Sequence, residues 1–255
     1  DFINKYNINL DFNNWLESYG KKIFEKLGVV KIHITKGSGK LIDFKSINTN
    51  TLTNPFCKKE NASNNKEKIC TDCYSVALLE GLRKNMQECL ERNSKLLSES
   101  ILPDSLLPIF LDRFVRIDSH GEIINMTHLI NIMNIIEKNP SVIFGFWSKR
   151  TDLIFPYFKL FPKPKNVIMI YSNPKKNHIM NKIPKYFDKV FNNVYKDNYI
   201  DEQNCTGQKC RDCLKCYQFD TTSKIVEKVK KQESKSKTLK RKNQRKNKKI
   251  GNWGV

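Results

Sequence analysis

From Pro108 onward the chain alternates short, continuously apolar runs with amphipathic stretches. Phe114-Val115-Arg116-Ile117 reads as a compact strand, and Val142 to Trp147 and Val167 to Tyr171 as two more. Between them, Thr127 to Lys138 predicts a helix with Leu129, Ile132, Met133 and Ile136 facing inward, and Asp152 to Leu160 a shorter one. Val190 to Tyr195 reads as a further strand. Strands about 25–30 residues apart with helices between them predict βαβ units and a parallel sheet. Their runs do not alternate apolar with polar, as expected when helices cover a sheet. The expected fold class is α/β, a partial or irregular parallel α/β barrel.

The first half is less regular. Trp15, Tyr19, Ile23 and Leu27 recur every fourth residue, which predicts an amphipathic helix from Asn14 to Leu27 that Gly28 stops. Short strands are expected at Val29 to Ile34 and Lys40 to Ile47, on either side of the turn Gly37-Ser38-Gly39. A polar loop follows from Asn48 to Lys68. After Cys73, Leu79, Leu82, Met86, Leu90 and Leu97 share one face of an expected long helix. No run of 18 or more apolar residues occurs, so no segment is expected to span a membrane.

Charge changes the picture at the far end. The net charge is +20, and Lys224 to Lys249 alone holds 13 Lys and Arg against two acids, Glu227 and Glu233. That composition predicts a barrel-like domain over residues 1–222 and a disordered basic tail over residues 223–255. Two readings of the tail stand side by side: phosphate neutralisation on nucleic acid, or solubilisation.

Seven of the eight cysteines fall in two groups, Cys57-x12-Cys70-x2-Cys73 and Cys205-x4-Cys210-x2-Cys213-x2-Cys216. Thiolates this close in sequence converge on a soft metal or an iron–sulfur cluster. The second group supplies four ligands, enough for a closed site of zinc or iron–sulfur type. The first supplies three, which suits a 4Fe-4S cluster with one open iron. It also suits zinc, with a fourth ligand from His33, His120, His128, His178 or Cys89. The opening DFINKYNINL lacks the basic-then-apolar layout of a secretory signal. Reduced thiols and a cytoplasmic location are therefore expected over disulfides. Cys89, alone on a helical pattern, reads as a core residue.

In parallel α/β folds, ligands sit at the carboxyl ends of the strands. Here those ends carry Arg116, Asp118, Ser119, His120, Gly121 and Glu122 after the first strand. Trp147, Ser148, Lys149 and Arg150 follow the second, and Tyr171, Ser172, Asn173 and Pro174 the third. Among these, His120 lies in the expected site loop, where an imidazole either ligates metal or moves protons or is structural, whereas His33 and His128 read as structural. Arg116, Asp118 and Lys149 are expected to share a cavity with Cys70 and Cys73.

Five stretches, ITKGSGKL, NPFC with ICTDCYS, RIDSHGEI with HLINIMNII, NPSVIFGFWSKR and CTGQKCRDCLKCY, resemble the gene product 88 family of phage and plasmid proteins. They run in that family's order over roughly residues 34 to 217. The family in turn is similar to radical SAM enzymes, in which three cysteines hold a 4Fe-4S cluster that binds S-adenosylmethionine. This chain departs from their usual Cys-x3-Cys-x2-Cys spacing, its first gap being twelve residues, and Tyr74 follows the last cysteine instead of preceding it. The resemblance implies an iron–sulfur enzyme of unknown substrate in a host-cell cytoplasm. Residues Arg116 to Glu122 and Lys149 would contact S-adenosylmethionine. The alternative is a zinc-stabilised, non-enzymatic protein that binds nucleic acid through its tail.

Overall fold

The computed structural model describes residues 31–195 and 202–229. The chain divides into two compact units, Asp1–Ile32 and His33–Val255, and all described strands and helices belong to the second. The helix expected at Asn14 to Leu27 and the start of the strand expected at Val29 lie outside the described residues.

Seven strands form one sheet: β1 (Ile34–Lys36), β2 (Lys45–Ile47), β3 (Phe114–Ile117), β4 (Ile143–Ser148), β5 (Val167–Lys176), β6 (Lys189–Tyr195) and β7 (Lys224–Val229). Their spatial order is their chain order. β1 pairs antiparallel with β2, and every later pair is parallel. The sheet is open, with β1 and β7 as its edges. Six α-helices are present among the described residues: α1 (Pro55–Asn61), α2 (Tyr74–Glu80), α3 (Gln87–Glu99), α4 (Met126–Lys138), α5 (Thr151–Leu160) and α6 (Cys210–Cys213).

The central strands are apolar on both faces because both are covered. Val115, Ile117, Phe144, Phe146, Val167 and Met169 are fully buried at alternate positions. On α4, Leu129, Ile132, Met133, Ile135 and Ile136 are fully buried too, as its apolar spacing predicts. α3 and α4 also bury asparagines. Asn131 donates to the carbonyls of Leu97 and Ser100 at 2.8 Å and accepts from Leu102 N at 2.9 Å, satisfying the α3–β3 connection. The opposite strand positions present Phe114, Trp147, Ile168, Ile170 and Phe191 to Tyr217 and the cysteine-rich segment before it.

Three expectations change. The long helix after Cys73 is broken: α2 ends at Gly81 and a 3-10 turn intervenes before α3, so Leu82 is 92% exposed rather than buried. The loop over 48–68 contains α1, started by Pro55 at its first position and capped by Asn54, whose side chain accepts from Cys57 N. The boundary at 222–223 falls before β7. Composition hid that strand because charges flank its apolar pair, yet Ile225 and Val226 are buried beside β6. Residues 230–255, the rest of the expected tail, lie outside the described residues.

Candidate metal and ligand site at the carboxyl edge of the sheet

The loop after β3 is held rigidly. Asn48, at the end of β2, accepts from the backbone N–H of Ser119 at 2.7 Å and of His120 at 3.1 Å with one side-chain oxygen. Thr51 Oγ1 accepts from Gly121 N at 2.9 Å. Gly121 has φ +91°, and a Cβ there would meet Thr49 Oγ1 at 2.0 Å, so only glycine fits. Asp118 adopts φ +60°, which L-residues rarely take and which clusters at functional sites.

Sequence reasoning treats Arg116 to Glu122 as one site, and the structure divides it. His120 is buried and turned toward α2, with Nδ1 2.7 Å from Ser75 Oγ and Nε2 3.1 Å from Arg83. Burial first, then Arg83 and Arg116, lower its pKa to about 4, so its ring is neutral and engaged in holding the loop. Glu122 is a clamp. It accepts from Ser148 Oγ at 2.8 Å and Ile123 N at 3.0 Å on one oxygen, and from Lys149 N at 2.8 Å on the other. It thereby ties the β3 loop to the end of β4. Gly121 contributes backbone only.

Arg116, Asp118, Ser119 and Lys149 remain as groups with chemistry to spare. Arg116 Nε, Asp118 Oδ2 and Ser119 Oγ are buried without a hydrogen-bond partner. The Arg116 guanidinium lies over the Trp147 ring, 3.9 Å from its centroid. Burial first, then Glu122, push the Asp118 carboxyl well above the usual carboxylate range, and Arg116 and Lys149 only partly oppose this. Lys149 donates to Ser172 Oγ at 2.9 Å.

The first cysteine group meets this edge. Cys57 sits in α1, and Cys73 is the N-cap of α2; Asn61 of α1 donates to the Cys70 carbonyl at 2.7 Å. Burial opposes the charge of Lys149, but Cys70, Glu122, Cys73 and Cys57 outweigh it and hold the ammonium protonated more firmly than usual. Burial, Glu122 and the neighbouring thiols in turn raise Cys57, while Lys149 pulls it down. Cys70, Cys73 and Lys149 therefore stand in one electrostatic neighbourhood, with Asp118 and Arg116 coupled to it through Lys149 and Tyr74. Tyr74, the residue after Cys73, donates its hydroxyl to the Ser119 carbonyl and so joins cysteine loop to strand end.

The second group lies on the face of the sheet opposite the helices. Cys205, Cys210, Cys213 and Cys216 line one cavity of about 30 Å³. All eight cysteines are free thiols. Among the described residues, no group of three or more His, Cys, Asp or Glu side chains is arranged to hold a metal ion as it stands. Of the other histidines, His128 is buried and accepts from Ile124 N at 3.1 Å. The backbone of His33 exchanges hydrogen bonds with Asn93.

Lys40 and Tyr217 escape sequence reasoning. Lys40 Nζ lies 2.5 Å from Glu227 and 4.0 Å from Cys205 Sγ, partners 187 and 165 residues away. Tyr217 follows Cys216 directly, the one local hint of its place. Its ring packs against Phe44, Phe114 and Trp147. Gly145 leaves room for it, since a Cβ there would meet the Tyr217 ring at 2.7 Å.

No protein-family model matches the chain, no curated protein matches it, and no solved structure matches it.

Proposed function

We propose that the protein is an iron–sulfur enzyme whose reaction site is the carboxyl edge of β3, β4 and β5, with Cys57, Cys70 and Cys73 as cluster ligands. One observation carries the reading. The cysteine-bearing segment is hydrogen-bonded to the β3 loop through Asn54 and Tyr74, near the half-buried Lys149 and a strand end that keeps three polar atoms buried and unpartnered. Unpartnered buried polar atoms cost stability. A ligand that pairs with them offsets that cost, which is the mark of a binding site. The donor set fits a cluster: three thiolates fill three positions and leave one open.

In this reading Lys149 neutralises thiolate charge, Glu122 fixes the backbone of Lys149, and Asp118 offers the ligand a carboxyl that burial holds above the usual carboxylate range. Ser119 and Arg116 supply further contacts to a polar ligand, and the family resemblance makes S-adenosylmethionine the first candidate. The cluster, when bound, supplies one-electron chemistry. The sequential parallel order of β2 to β7 agrees with a partial barrel, whose sites lie at this edge.

The test is metal analysis of protein purified and reconstituted without oxygen. Iron and acid-labile sulfide should bind wild type. Cys70→Ser should lose the share held at this site, and S-adenosylmethionine should alter the electron paramagnetic resonance of the reduced cluster. Zinc without sulfide at Cys57, Cys70 and Cys73 would refute the reading. It would favour the second one, a zinc-stabilised nucleic-acid binder, which the net charge of +20 supports.

A further inference from the structure

The open side of the sheet is crossed by the segment around Cys205 to Tyr217, and its contacts reach both edges. At the β7 edge, Cys205 bridges to Glu227 and donates its N–H to Val226 O at 3.1 Å. At the other edge, the turn between β1 and β2 supplies three partners. Lys40 meets Cys205 and Glu227, Asp43 pairs with Arg211, and Phe44 packs on Tyr217 with ring centroids 4.6 Å apart.

Its four cysteines line one cavity of about 30 Å³. That volume is on the order of two or three water-sized spheres. It has room for a single ion. The chain around it is shaped for the purpose. α6 carries Cys210 and Cys213 on one turn, and Leu214 then adopts the left-handed conformation, φ 52°, returning the chain toward Cys216. Nitrogen donors are aimed at sulfur: Lys40 Nζ lies 4.0 Å from Cys205 Sγ and Gln208 Nε2 3.7 Å from Cys213 Sγ. Neutral thiols are weak acceptors, whereas metal-bound thiolates are strong ones, and outer donors of this kind tune thiolate sites. Four thiolates around a divalent ion leave two negative charges. Lys40, which Glu227 shares, and Arg116, which lies on Trp147 beside Tyr217, are the cations on this side.

We propose that Cys205, Cys210, Cys213 and Cys216 bind one soft divalent cation of the zinc class. The ion locks this segment across the open side of the sheet, joining the β1–β2 turn to β7. The cysteines line the cavity without yet forming a coordination shell; in this proposal the ion draws them together, as expected where binding and local folding are coupled. Its four cysteine ligands are separate from Cys57, Cys70 and Cys73.

The test uses the full chain carrying Cys57→Ser, Cys70→Ser and Cys73→Ser together, so that the outcome is separable from the proposed enzymatic site. One equivalent of zinc should remain bound. Cobalt in its place should show the intense bands of tetrahedral thiolate coordination. Iron and sulfide in place of zinc, or no stoichiometric metal, would overturn the assignment. Should the triple variant fail to fold, wild type provides the second measurement. Stripping zinc with a chelator should open Lys209, Arg211 and Lys215 to trypsin, and restoring zinc should protect them again. Identical cleavage with and without zinc would overturn the locking role.

Discussion

Asp118 concentrates three costs in one residue: a left-handed backbone, near-complete burial and a side-chain oxygen without a partner. Asparagine tolerates that backbone better than other residues and carries no charge to desolvate. Because burial raises the native pKa of Asp118, its carboxyl is at ease while protonated and becomes a liability as pH rises above its ordinary value. Asp118→Asn should therefore stabilise the protein by about 1–3 kcal/mol at neutral pH. The gain should shrink as pH falls and vanish below about pH 3, where native and unfolded carboxyls are both protonated. Urea unfolding of both proteins across that range checks it. A gain independent of pH would assign the effect to backbone strain instead of charge. A residue that sacrifices stability in this way is expected where a ligand is bound.

At the scale of elements, the candidate site depends on short pieces locked together by side-chain amides. α1 has only seven residues, too few to be stable alone, and it carries Cys57. Asn54 starts it by accepting from Cys57 N at 3.2 Å and donates to the Glu122 carbonyl at 2.7 Å, linking the helix to the β3 loop. Asn54→Ala should cost about 1–2 kcal/mol from the lost cap and also lower metal occupancy at Cys57, Cys70 and Cys73. Asn54→Asp keeps the capping oxygen but loses the donor. Occupancy restored in Asn54→Asp would trace the defect to the helix start; occupancy still low would trace it to the contact with Glu122. Metal per chain, measured beside thermal unfolding, separates the two.

For the whole molecule, the decisive feature is that β7 completes the sheet from within a strongly basic stretch. Ile225 and Val226 are buried, and Lys224 and Glu227 are paired with Glu202 and Lys40. Burying each of the two apolar side chains stabilises by about 1.5–3 kcal/mol. A chain ending at Ser223 should thus be several kcal/mol less stable than one ending at Val229, as read from denaturant midpoints. Equal stability would mean that β7 adds nothing to the sheet. The same pair of chains bears on the nucleic-acid reading. If residues 230–255 neutralise phosphates, their loss should flatten the dependence of affinity on salt, and the further loss of β7 should add little.

Local periodicity alone determined the strands β3 to β6, the helices α4 and α5 and the parallel pairing, because buried strands and amphipathic helices announce themselves within a window of a dozen residues. It also placed Arg116, Asp118, Ser119 and Lys149 at one edge, since parallel strands share a carboxyl end. Only the tertiary structure turned His120 away to Ser75 and Arg83 and made Glu122 a clamp. Only the fold, too, brought Lys40 to Cys205 and Glu227 and set Tyr217 against Gly145. The residues in these contacts lie far apart in the chain, and no local period encodes which of several polar side chains will meet across a sheet. β7 escaped for the opposite reason: its apolar core is two residues long, and only the neighbouring strand makes it a strand.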